Sequence, residues 1–149
     1  MQAQTQRYSV LMVDDDPEDG VLVQKAIASS GPKVDFQFVA SGAEVLDYLF
    51  TEGRFTDRSS APRPNLILLD LNMPGVDGFS VLKQIKSDMD LRRIPVVVLT
   101  TSEAETDIVK SYDFGANTFI TKPSSFSDMI EVMTSLKSYW FDAARLPTA

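Results

Sequence analysis

The 149-residue sequence contains no cysteine and no histidine. Without cysteine, the chain can form neither a disulfide nor a thiolate nucleophile nor a zinc-thiolate site. Without histidine, it lacks the commonest general base and cannot carry a phosphohistidine of its own. Any histidine that takes part in its chemistry must therefore come from a partner.

Positive charge is also scarce, because 14 Lys and Arg residues stand against 21 Asp and Glu residues and give a formal net charge of -7. No basic cluster offers the face that binding to nucleic-acid phosphates requires. The longest apolar runs are about five or six residues, far short of a membrane span, and the first six residues have no signal-peptide core. We expect a cytoplasmic protein that contacts other proteins but neither nucleic acid nor membrane.

The length and an apolar fraction of 44% fit one ordinary domain with a proper hydrophobic core. We predict that this domain spans residues 8–141. A disordered N-terminal tail at residues 1–7 and a C-terminal tail at residues 142–149 would flank it.

Short, uniformly apolar segments recur along the chain at residues 10–13, 66–69 and 96–99. They are too short for helices and do not alternate as a strand with one wet face would. They therefore predict parallel strands covered on both faces. Residues 34–39 and 118–121 are weaker strand candidates and complete a set of five.

Segments with helical spacing lie between these strands. The first helix is predicted to begin with Asp16 as its N-cap and Pro17 at its first position. The other helices are predicted at about residues 43–50, 79–87, 103–112 and 127–140, and residues 52–64 are predicted to be a surface loop. This alternation predicts an α/β fold with a doubly wound, five-stranded parallel sheet and five helices.

Polar residues stand at the ends of four of the five predicted strands. Three aspartates, Asp14, Asp15 and Asp16, follow the first strand and Asp70 follows the third, while Thr100 and Lys122 stand at the ends of the fourth and fifth. The carboxyl ends of parallel strands meet at one edge of the sheet, where ligands bind. We therefore expect carboxylates, a hydroxyl and an ammonium to gather there.

Such a group of residues is suited to phosphoryl transfer. Crowded carboxylates need a cation among them, and Mg2+ prefers carboxylates, a carbonyl and water as ligands. Asp70 would then attack phosphorus as a carboxylate nucleophile, while Lys122 and the metal neutralise the phosphoryl oxygens. Taken singly, Asp16 is better explained as a helix cap, and Thr100 or Lys122 as structural or solvated residues.

Four separated motifs make a resemblance to a known family explicit. The segments Val13-Asp14-Asp15, Leu69-Asp70 through Gly78, Leu99-Thr100-Thr101 and Thr121-Lys122-Pro123 resemble, in order, the signature of response-regulator receiver domains. The resemblance covers residues 8–136 and implies the flavodoxin-like receiver fold with strand order 2-1-3-4-5. It also implies a protein that catalyses only its own phosphorylation and dephosphorylation.

The resemblance implies roles for individual residues. Asp14 and Asp15 match the acidic pair beside the metal, Asp70 matches the phosphoacceptor, and Asn72 matches the residue whose backbone carbonyl binds Mg2+. Together they imply a metal site formed by Asp14, Asp15, Asp70 and Asn72.

Further matches concern the switch that follows phosphorylation. Thr100 matches the switch hydroxyl, Lys122 the lysine that pairs with the phosphate, and Pro123 a proline that follows a cis peptide bond in this family. Phe119 stands where many receivers have Tyr, so an aromatic switch there would lack a phenolic hydrogen bond. Thr101 is bulkier than the Ala or Gly common at its position and would narrow access to the site.

A second resemblance is less specific. Residues 62–65, 99–102, Tyr139-Trp140 and Leu146-Pro147 look like those of small single-domain regulators that partner cyanobacterial phytochromes. This implies a sensor histidine kinase as partner, with a phytochrome as the candidate, and a homodimer through the fourth helix, fifth strand and fifth helix. Since few residues follow the last motif, we expect signalling through changed protein association.

Two other functions compete with this interpretation. A phosphohydrolase of the haloacid dehalogenase type needs a second carboxylate two residues after the nucleophile, and that position is Asn72. A degenerate receiver that only binds partners would have lost an acidic residue, the acceptor or the lysine, and none of these is missing.

Overall fold

The computed structural model describes residues 8–29 and 33–147. Its strands are β1 (Tyr8–Val13), β2 (Val34–Val39), β3 (Leu66–Leu69), β4 (Val96–Thr100) and β5 (Thr118–Thr121). Its α-helices are α1 (Pro17–Ala28), α2 (Gly42–Leu49), α3 (Gly78–Ser87), α4 (Glu105–Asp113) and α5 (Phe126–Lys137). The strands pair in parallel in the order β2-β1-β3-β4-β5, so the predicted fold and strand order are confirmed.

Both faces of the sheet are covered, as the uniformly apolar strands predict. In β3, Leu66 and Leu68 pack in a core with residues of α1 and α5, whereas Ile67 and Leu69 pack in a core with residues of α2 and α3. Successive side chains of a strand point to opposite faces, so an unbroken apolar run supplies both cores at once.

Side-chain caps fix where most helices begin. The carboxylate of Asp16 accepts the N–H of Glu18 at 2.9 Å, which confirms the predicted cap of α1, and Ser41, Asp77 and Ser125 cap α2, α3 and α5 in the same way. No helix in the described part of the chain has the length and apolar character needed to cross a membrane.

Two predicted helix boundaries are wrong. Helix α4 begins at Glu105 and not at residue 103, because the Ser102 hydroxyl accepts the N–H of Ala104 and binds Asp107, which keeps the preceding residues extended. The regular part of α5 ends at Lys137, and a π-helical turn follows at Ser138–Ala143.

The π-helical turn changes which aromatic residue reaches the core. Phe141 is buried and stacks on Tyr8 with ring centroids 4.3 Å apart, while Trp140, the last residue of the predicted fifth helix, is only partly covered. Helical structure thus extends to Ala143, past the predicted domain end at residue 141. The predicted tail at residues 1–7 lies outside the described residues, as do residues 148 and 149.

The predicted loop at residues 52–64 is at the surface but is held in place by several hydrogen bonds. The Arg58 guanidinium donates to the carbonyls of Tyr48, Leu49 and Ala61, and the Tyr48 hydroxyl donates to the carbonyl of Pro62 at 2.8 Å. These bonds satisfy carbonyls at the C-terminal end of α2 that have no partner within the helix.

Candidate functional site

The carboxyl ends of the strands, here called the carboxyl edge, bring the predicted site residues together. Asp14 follows β1, Asp70 follows β3, Thr100 ends β4 and Lys122 follows β5. The Lys122 Nζ atom lies 2.6 Å from Asp14 Oδ2 and 3.8 Å from Asp70 Oδ2. Residues more than a hundred positions apart in sequence thus form one cluster, as predicted from the strand ends.

Three carboxylates form the acidic part of this cluster. One oxygen each from Asp14, Asp15 and Asp70 lies within 4.8 Å of the others. Asp14 and Asp70 are buried, whereas Asp15 is exposed. The cluster therefore has a closed side within the protein and an open side toward solvent.

Burial raises the pKa of Asp14 from 3.8 to about 6, and the neighbouring charge of Asp70 adds to this effect. The Lys122 ammonium and the N–H of Asp16, which Asp14 Oδ1 accepts at 2.9 Å, act in the opposite direction. The neighbouring protein groups thus offset only part of the cost of burying the Asp14 charge.

The acidic cluster fits a divalent metal ion. Carboxylate oxygens are hard ligands of the kind that Mg2+ and similar ions take, and a cation would offset the crowding that raises the Asp14 pKa. The fourth predicted ligand, Asn72, lies next to this cluster, since its N–H donates to Asp70 Oδ1 at 3.4 Å.

The contacts of Lys122 include a residue that the sequence analysis missed. Its Nζ atom lies 2.8 Å from Asp19 Oδ2, in the first turn of α1. Acidic residues in a first helical turn are usually explained by the helix dipole, so Asp19 was not separately assigned to the site. The available signal was its place one helical turn after the acidic pair, near the carboxyl edge.

Thr100, the predicted switch hydroxyl, is fully buried. Its Oγ1 accepts long hydrogen bonds of 3.4 Å from the Asn72 side-chain amide and from the Ser102 N–H. Long hydrogen bonds are weak, so the Thr100 hydroxyl can change partners at little cost.

Phe119, the other predicted switch residue, is half-buried against the core on the α2 and α3 side. Its backbone N–H donates to the Tyr112 hydroxyl of α4 at 3.1 Å. The sequence analysis missed this contact, which provides from α4 a phenolic hydrogen bond that the side chain of residue 119 cannot make.

Two backbone features complete the site. The peptide bond between Lys122 and Pro123 is trans, so the cis bond implied by the resemblance is wrong here; trans is the intrinsically favoured form of such bonds. Gly78 lets α3 approach the end of β3 closely, because a Cβ atom there would lie 2.4 Å from the Asp70 carbonyl oxygen.

A separate cavity of about 570 Å³ lies at the opposite, amino ends of the strands. Its lining includes Tyr8, Asn65, Pro95 and Phe141, and none of the predicted site residues. The chemistry predicted from the sequence therefore belongs to the open carboxyl edge and not to this cavity.

Comparison with known proteins gives concordant matches. Residues 10–134 match the family model of the response regulator receiver domain. The response regulator Rcp1 of Synechocystis sp. is 39% identical over 140 residues, which are 94% of this chain and 93% of Rcp1.

Two solved structures also match nearly the whole chain. The phosphorylated cyanobacterial phytochrome response regulator RcpA is 41% identical, with a TM-score of 0.89 over 96% of this chain and 100% of RcpA. The Mn2+-bound form of Rcp1 is 38% identical, with a TM-score of 0.84 over 95% of this chain and 99% of that one. A divalent metal bound to a relative agrees with the oxygen ligands of the acidic cluster.

Proposed function

This chain belongs to the response regulator receiver family, close to phytochrome response regulators, and we propose that Asp70 is its phosphoacceptor. Receiver domains of this kind are signalling proteins of two-component systems and not enzymes acting on a separate substrate. The observation that carries the proposal is the position of Asp70, which shares one acidic cluster with Asp14 and Asp15 and lies 3.8 Å from the Lys122 ammonium.

The proposed reaction transfers a phosphoryl group from a phosphohistidine of a sensor kinase. An Asp70 carboxylate oxygen attacks phosphorus, the P–N bond breaks, and the electron pair of that bond stays on the histidine nitrogen. The product is an acyl phosphate on Asp70. Since the chain contains no histidine, the donor histidine belongs to the partner.

Protein groups at the carboxyl edge would stabilise the charge of the transferred group. The Lys122 ammonium pairs with a phosphoryl oxygen, and the Thr100 hydroxyl donates to another after leaving its weak contact with Asn72. Bound by Asp14, Asp15, Asp70 and the Asn72 carbonyl, Mg2+ would supply the positive charge that both the carboxylates and the phosphoryl oxygens require.

We further propose that the signal is a change in association. Movement of Thr100 would shift α4 and Phe119 between two packings, and the Phe119 N–H contact with Tyr112 links β5 to α4. Val109 and Tyr112 of α4 each expose 49% of their surface. These exposed side chains support a homodimer through α4, β5 and α5.

The kinase partner is proposed from the relatives. RcpA is described as a cyanobacterial phytochrome response regulator, and the structure of RPA3017, 36% identical to this chain, is described in red-light signalling of R. palustris. A sensor histidine kinase of the phytochrome type is therefore the candidate partner. We also propose a cytoplasmic location, and the net charge of -7 supports a role without nucleic-acid binding.

Phosphotransfer from a labelled phytochrome-type kinase tests the proposal. We expect Mg2+-dependent labelling of the wild type and none of Asp70→Asn, because the amide is not a nucleophile. Asp113→Asn, which neutralises an exposed carboxylate on α4, is the matched control and should be labelled like the wild type. Labelling of Asp70→Asn would contradict the assignment. A wild type that takes no phosphate from kinase or small acyl phosphate would instead be a binding module only.

A further inference from the structure

The Lys122 ammonium lies closer to Asp14 and Asp19 than to the proposed phosphoacceptor. Its two short contacts are with Asp14 at 2.6 Å and Asp19 at 2.8 Å, whereas Asp70 lies at 3.8 Å, beyond hydrogen-bond distance. An ammonium has three N–H donors, so these two carboxylates occupy most of its capacity. One N–H donor remains, so Lys122 must give up one of these contacts before it can donate more than one hydrogen bond to a phosphoryl group.

The two carboxylates differ in how easily they can release the ammonium. The Asp14 side chain is 1% exposed, so losing Lys122 would leave its charge buried. The Asp19 side chain is 29% exposed, and water can solvate its carboxylate once the ammonium moves away. Asp19 is thus the partner that can be exchanged at low cost.

We propose that Asp19 is a positioning residue that competes with the phosphoryl group on Asp70 for the Lys122 ammonium. The inference rests on the proposed function, because it concerns the same site. Asp19 keeps Lys122 near the carboxyl edge in the resting state and weakens its pairing with the phosphoryl group afterwards. Release of Asp19 also removes one ion pair from the first turn of α1, so phosphorylation is transmitted to that helix as well as to α4.

The experiment measures the affinity for beryllofluoride, a phosphoryl analogue, at saturating Mg2+ by NMR titration. Asp19→Asn should bind it about three- to fivefold more tightly, the range expected for loss of a competing, partly exposed ion pair. Glu18→Gln, on an exposed residue of the same helical turn, removes the same charge without touching Lys122 and should leave the affinity unchanged. Asp19→Glu should restore wild-type affinity.

The Lys122→Gln background separates competition from a general charge effect. With no ammonium to compete for, Asp19→Asn should no longer change the affinity. Equal effects of Asp19→Asn and Glu18→Gln, weaker binding by Asp19→Asn, or an undiminished effect without Lys122 would each overturn the inference. A wild type that binds no beryllofluoride and takes up no phosphoryl group would instead overturn the proposed function itself.

Discussion

The carboxyl edge and the opposite ends of the strands, here called the amino edge, each hold a lysine that is at least partly buried, but the partners of the two lysines differ. At the carboxyl edge, the Lys122 ammonium faces the carboxylates of Asp14, Asp19 and Asp70. Burial would lower the Lys122 pKa, yet these carboxylates raise it above its ordinary value, and the group stays charged.

At the amino edge, the hydrogen-bond partners of Lys86 of α3 within residues 8–29 and 33–147 are all neutral. Its Nζ atom donates to the carbonyls of Arg92 and Ile94 at 3.1 and 2.8 Å and to the Asn117 side-chain oxygen at 3.3 Å. With no carboxylate among these partners, burial lowers the Lys86 pKa from 10.5 to about 8.

The two lysines thus differ in whether their partners are charged side chains or neutral groups. The backbone carbonyls of Arg92 and Ile94 precede β4 and the Asn117 side chain precedes β5, so the Lys86 ammonium joins α3 to the starts of two strands. The partners of Lys122 are side chains that a metal ion or a phosphoryl group can take over. Three predictions test this contrast, from the largest expected effect to the smallest.

Replacing Lys122 should have the largest effect on stability. Lys122→Met leaves the buried Asp14 carboxylate without its cation, and we expect the free energy of unfolding at pH 7 to fall by about 3 kcal/mol. Millimolar Mg2+ should restore part of this loss, because it would neutralise the same carboxylates. Chemical denaturation with and without Mg2+ measures both quantities.

The double variant Asp14→Asn/Lys122→Met provides the control for this first prediction. It removes the unpaired charge and should be more stable than Lys122→Met alone. A Lys122→Met protein as stable as the wild type would mean that Asp14 does not depend on the ammonium.

Replacing Lys86 should lower the free energy of unfolding by a smaller amount, and this loss should not depend on Mg2+. Lys86→Met leaves the carbonyls of Arg92 and Ile94 without this donor, and we expect a loss of about 1–2 kcal/mol, unchanged by Mg2+. Lys83→Met, on an exposed residue of the same helix, should stay within about 0.5 kcal/mol of the wild type. A Mg2+-dependent loss in Lys86→Met would break the contrast between the two edges.

The smallest effect concerns pH. The native Lys86 pKa of about 8 lies below the ordinary value of 10.5, so between these values the unfolded chain binds more protons than the native one. Stability contributed at this residue should therefore rise with pH across that window. Denaturation at pH 7 to 10 should show that the free energy of unfolding of the wild type rises relative to that of Lys86→Met. A constant or falling difference would mean that the Lys86 pKa is not lowered in the native protein.

The sequence predicted the strands and most of the site because both rest on local signals. The run at Leu66–Leu69 is apolar on both faces, which predicts a buried strand. Asp70 directly follows this strand, so its place at the carboxyl edge could be predicted from the sequence. The contact of Asp19 with Lys122 was missed: the place of Asp19 after the acidic pair put it near the carboxyl edge, but the partner depends on how the first turn of α1 faces the end of β5.

The end of α5 was mispredicted for a related reason. Trp140 and Phe141 are adjacent and equally apolar in the sequence, and only the stacking of Phe141 on Tyr8 across the fold decides which is buried. Likewise, the bonds from Arg58 to the end of α2 turn a segment with loop composition into an ordered one. Composition indicates that the segment is polar, but it does not indicate which backbone carbonyls elsewhere in the fold need a hydrogen-bond donor.

The hydrogen bond between the Phe119 N–H and the Tyr112 hydroxyl has a consequence for self-assembly. Strand β5 lies at an outer edge of the sheet, where unpaired amides normally invite a further strand from another chain. At Phe119 the phenol occupies that amide, so a foreign strand must first displace Tyr112. The Tyr112 side chain of α4 thereby makes this part of the sheet edge less available for pairing with a strand of another chain.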